Sequence, residues 1–250
     1  MISKVFCTAS VIVLASLALS SAAWAAPCSN ASLNGTYGFL HDSTDSNGAP
    51  ATAAVSQITF DSTTATFNVE TTASHGGVIA TESLTGTYAV ASNCTGTGTP
   101  TGASPFTIVV TSGGFLALHV FAEGFAVKQG SSTCTNAGVK GSFGFETTGV
   151  FLAGTPATAV AFIGELKLTV NPSGEGVVSG SIAASEDGTF LAEVPVTGSY
   201  TVAPDCRGRV IITPTGLSEM RFSVVIVDGG KEMLAVETDA GTVVSGTFQR

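Results

Sequence analysis

VTGSYTVAPDC, residues 196–206, has a second copy in the chain, LTGTYAVASNC at residues 84–94. In both, an alternating apolar run passes through Gly-x-Tyr-x-Val, turns on small or polar residues and ends at a cysteine. Two further blocks recur in the same order. CSNASLNGTYGF (28–39) matches CTNAGVKGSFGF (134–145), and PFTIVVTSGG (105–114) matches RFSVVIVDGG (221–230). Three matched blocks in one order read as a duplicated unit. The boundary falls in the Gly130-Ser131-Ser132-Thr133 stretch, a short linker by composition, so the expected units are residues 26–130 and 131–250.

Within each unit the period is two rather than 3.6. In the second, strands are expected near 139–147, 158–170, 176–184, 189–202, 207–213, 219–227, 232–238 and 242–248. Turn-formers such as Asn171-Pro172-Ser173-Gly174, Glu186-Asp187-Gly188 and Asp228-Gly229-Gly230 separate several of them. Alternation over 190–202 puts Phe190, Ala192, Val194, Val196, Gly198, Tyr200 and Val202 on one buried face. Eight short antiparallel strands in sequence close most simply as an up-and-down barrel, which also removes exposed edges. The expected fold is therefore all-β: two tandem eight-stranded antiparallel meander barrels. A pair of β-sandwiches is the alternative.

Residues 1–25 read as a cleaved signal peptide. Lys4 precedes the mostly apolar run 5–19, and Ala23-Trp24-Ala25 supplies the small-x-small site. The run is shorter than the roughly 20 residues that span a bilayer. Export, to the periplasm or outside the cell, removes Cys7 and leaves Cys28, Cys94, Cys134 and Cys206 in an oxidising compartment. Four cysteines allow three pairings, and the repeat selects Cys28 with Cys94 and Cys134 with Cys206. None of the spacings suits zinc, so neither metal nor cofactor is expected. Charged residues are 11% of the chain. Without Lys4, 8 basic residues face 18 acidic ones, a net charge of −10, which disfavours nucleic acid and anionic membranes as partners.

The set Gly-x-Tyr/Phe-Gly-Phe, Gly-Thr/Ser-Tyr-x-Val…Cys-x-Gly, Asp-Gly-Gly and a closing Gly-Thr-Val-Val-x-Gly resembles a recurring module of uncharacterised secreted bacterial proteins. The second half carries it through Gly198–Val202, Cys206, Gly208 and Asp228-Gly229-Gly230; the first departs at Ser112 and Phe125. The resemblance implies no activity. At fold level it is similar to lipocalin- and avidin-like barrels, which is analogy alone.

Signatures of a nucleophile elbow, zincin, phosphate loop or dinucleotide site are absent from the sequence. Asp42 to Gly48, DSTDSNG, reads as a turn rather than a calcium loop. Two residues stand out. Counted by twos from Tyr37 and Phe39, His41 continues the inward register at the end of the first strand. Glu82 does so ahead of Leu84, Gly86 and Tyr88, where the second half has Val194. In a meander both lie at one mouth, near Asp42 and His75, and a charge facing a barrel interior is costly unless paired or wet. They mark either a polar site for a ligand or cation, or simply a solvated rim.

The second interior, read to include Phe190, Leu234 and Val236, offers almost nothing that ionises, and catalysis needs titratable groups. The composite expectation is a secreted, non-enzymatic binding or surface-interaction protein. A carrier of a small hydrophobic ligand, and an isomerase-type enzyme in an apolar barrel, are the alternatives.

Overall fold

The computed structural model describes residues 27–44, 50–119, 122–130, 134–152 and 156–250. The expected signal peptide, linker residues 131–133 and part of DSTDSNG lie outside the described residues. Eight strands form the first unit: β1 (Gly35–Thr44), β2 (Pro50–Asp61), β3 (Thr66–His75), β4 (Val78–Val90), β5 (Thr95–Pro100), β6 (Phe106–Val110), β7 (Gly114–His119) and β8 (Ala122–Lys128). The second holds β9 (Gly141–Phe151), β10 (Thr158–Val170), β11 (Gly176–Glu186), β12 (Thr189–Val202), β13 (Arg207–Pro214), β14 (Met220–Val227), β15 (Glu232–Glu237) and β16 (Thr242–Gln249). Each strand pairs antiparallel with the next, and β1–β8 and β9–β16 close the circuits. These are the two meander barrels the alternation predicts, not sandwiches.

One disulfide serves each barrel, Cys28–Cys94 and Cys134–Cys206. Each staples the segment before the first strand to the turn after the Gly-x-Tyr-x-Val strand. That motif has a visible job. A short 3₁₀ turn plugs each floor, Asn30–Leu33 in one barrel and Asn136–Val139 in the other, burying Leu33 and Val139. The Tyr88 hydroxyl donates to the Asn30 carbonyl (3.0 Å), and Asn30 Oδ1 accepts from the Val90 amide (2.8 Å). Tyr200, Asn136 and Val202 repeat both bonds at 2.8 Å. The second 3₁₀ turn also explains why β9 begins at Gly141 rather than 139.

Four inward assignments are corrected: Phe190 and Ala192, both exposed, and Leu234 and Val236. Phe190 is 71% exposed, because a bulge between Ile182 and Ala184 shifts the β11–β12 register and sends Leu191 to the core side instead. Leu234 and Val236 also point out of the second barrel; Met233 and Ala235 fill it.

Leu234 and Val236 are buried nonetheless, because the first barrel covers them. The outer faces of β1 and β2 (Leu40, Ala53, Val55) pack on Val225, Val227, Leu234, Val236 and Val243. Ser245 Oγ donates to Asp42 (3.0 Å), Ser223 to Thr72 (3.2 Å), and the Gly241 amide to the Gly77 carbonyl (2.8 Å). Gly38 lets the barrels approach this closely: a Cβ there would sit 2.5 Å from Val227 Cγ1 and 3.0 Å from Val225 Cγ1. Gly38→Val should therefore cost about 1–3 kcal/mol of overpacking. Calorimetry should then show two transitions, one per barrel, where the native protein melts in one. An unchanged single transition would mean that the seam does not couple them.

Candidate functional site

The two barrels are filled differently, and ladder positions show where. His41 pairs with Ala54, whereas Thr147, which holds the same place in the second barrel, pairs with Phe162. Phe39 pairs with Ala126, and Phe145 with Phe248. Twice an alanine stands where the second barrel has a buried phenylalanine. The first barrel keeps an internal space, walled by residues other than these two alanines.

That room is a cavity of about 310 Å³. Its walls are mainly apolar, from Phe39, Ile58, Phe67, Val69, Leu84 and Phe106. Polar groups are few: the Ser56 and Thr71 hydroxyls, bonded to each other at 2.7 Å, together with His41, Ser104 and, at the edge, Glu123, which pairs with Asp42 on the outer face. An apolar lumen with a small number of placed polar groups is the usual form of a small-molecule site.

His41 forms part of the wall, its ring stacked on Phe39 with centroids 5.1 Å apart. Burial, and then the neighbouring His75, lower its pKa to about 4, with Glu82 pulling the other way. The ring is therefore neutral at physiological pH. Nδ1 is covered and has no hydrogen-bond partner.

Glu82 lies higher, at the rim, and is exposed. Its Oε1 is 3.0 Å from His75 Nε2, and His75 Nδ1 is 3.1 Å from Thr52 Oγ1. The mouth thus carries a Thr52–His75–Glu82 chain spanning β2, β3 and β4, beside His41. Asp42, on the opposite face of β1, is drawn into the seam through Ser245. His119 has a side chain outside the described residues. Among the described residues no group of three or more His, Cys, Asp or Glu is placed to hold a metal ion. None of their helices is long and apolar enough to cross a membrane.

The second barrel holds a titratable group that the sequence reading missed. Glu237 follows Met233 and Ala235 into the interior and is 2% exposed. Burial, helped by Asp239, raises its pKa to about 8, and Oε2 has no partner. The Thr147 hydroxyl is buried without a partner as well.

No protein family and no curated protein matches the chain. A solved structure described as a protein with unknown function from the DUF3598 family, from Nostoc punctiforme, shares 9% identity. The match covers 88% of this chain and 97% of that one, with a TM-score of 0.26, too low to carry any argument.

Proposed function

We propose that the protein is a secreted, non-enzymatic binding protein that carries a small, mainly apolar molecule in its first barrel. The cavity of about 310 Å³ behind His41 is the observation that carries this reading. Secretion is supported by the signal-like residues 1–25 and by a disulfide in each barrel. The second barrel, with its clustered Phe145, Phe162, Phe222 and Phe248, serves as a scaffold.

The test uses N-phenyl-1-naphthylamine, a fluorescent apolar probe, against the intact protein and Ala117→Phe. Ala117 lines the cavity and is only half-buried, so the added ring goes into empty space. Binding to the native protein, reduced at least tenfold in the variant at unchanged melting temperature, is expected. Equal binding by both would place the probe elsewhere and remove the lumen from consideration.

A further inference from the structure

We infer that the ligand of the first barrel is an uncharged molecule with a hydrogen-bond acceptor, a carbonyl or ether oxygen, presented to Nε2 of His41. This rests on the lumen being a binding site and adds the chemistry that it selects.

The argument starts from the two ring nitrogens. Nδ1 is covered and lacks a partner, so a proton there would be a buried donor with nothing to accept it. Unpaired buried N–H groups are the rarer and costlier kind. The tautomer with a bare Nδ1 is favoured, which puts the proton on Nε2. Since His41 lines the cavity and Nδ1 is sealed, Nε2 is the nitrogen facing a guest. The neutral ring thus offers an N–H donor in a wall that is mainly phenyl and aliphatic. The Ser56 and Thr71 hydroxyls bond to each other, which uses one of their two protons and leaves the other as a further neutral donor in the same wall.

Charge then narrows the guest. Glu82 stands at the rim, where His75 is the nearest basic side chain. His41 itself stays neutral above about pH 4. A carboxylate guest would pass the Glu82 carboxylate and enter an apolar site with no fixed cation, so fatty acids and other organic anions are disfavoured. Neutral ketones, esters or ethers with an apolar body fit.

Three molecules of nearly one shape separate the possibilities: 2-acetylnaphthalene, 2-ethylnaphthalene and 2-naphthoate, titrated by calorimetry at pH 7.5. The ketone should bind roughly tenfold more tightly than the hydrocarbon, the worth of one hydrogen bond in a dry site. The carboxylate should be weaker than both. His41→Phe should remove most of the ketone's preference over the hydrocarbon measured in the same variant, while His41→Gln, which keeps a donor, should restore part of that preference. Equal affinity for ketone and hydrocarbon, or tightest binding of 2-naphthoate, overturns the assignment to His41 but leaves the lumen as a site. Failure of all three to bind overturns the lumen reading and this inference with it.

Discussion

Glu237→Gln should abolish a fall in stability that the native protein undergoes as pH rises from about 4.5 to about 8. The carboxyl titrates near 4.5 in a free chain and near 8 inside the barrel, so between those values the folded state binds the extra proton. Where the folded state binds more protons, stability falls with rising pH. The contribution is complete below pH 4.5 and is lost as pH passes through 8. A shift of this size corresponds to an effect on the order of 5 kcal/mol. Asp239 adds to the shift, although Arg221 holds it at 2.7 Å. The readout is the urea midpoint at pH 5 and pH 9 for both proteins. The native midpoint should drop well below that of the amide variant at pH 9. Parallel pH curves would show that Glu237 does not carry the proton.

His41 works in the opposite direction. Its pKa is lowered from 6.5 to about 4, so the stability it contributes is present above 6.5 and is lost as pH falls through 4. The two groups therefore limit the fold from opposite sides, one in each barrel.

Removing the second disulfide, by Cys134→Ala with Cys206→Ala, should cost about 4 kcal/mol. The bridge closes a loop between residues 72 apart in sequence, and the chain-entropy model assigns a loop of that length roughly this value. For a chain of this size the melting temperature should fall by roughly 8–16 °C. The bridge also tethers Asn136, which receives Tyr200 and Val202 at the barrel floor. A fall of less than 2 °C would mean that those hydrogen bonds hold the floor unaided.

Much of this architecture is legible in the sequence because period-two alternation survives wherever one face is wet and one is dry. The eight strands of the second barrel and the inward register of His41 follow from it, while both cysteine pairs follow from the repeat. It fails at β15, where Met233-Leu234-Ala235-Val236 is apolar on both faces: one face fills the second barrel and the other meets the first. With no polar residue to fix the phase, the register slips by one, and Glu237 disappears from the interior list. Phe190 is misplaced for a different reason, a bulge that no turn residue announces. The cavity is harder still to see. Its walls come from side chains far apart in sequence, such as Phe39, Phe67, Leu84 and Ala117, which only the closed circuit of strands brings together.

The seam has a mechanical corollary for the first barrel. β1 and β2, which carry His41 and Ser56, are backed by a second folded body and cannot bow outward without dragging it along. Among the described residues the apolar cluster at the seam takes no member from β5 or β6 on the far flank, which are only 6 and 5 residues long. A guest too wide for the mouth would have to be admitted by yielding of that thin side, while the donor-bearing side stays as a fixed anvil.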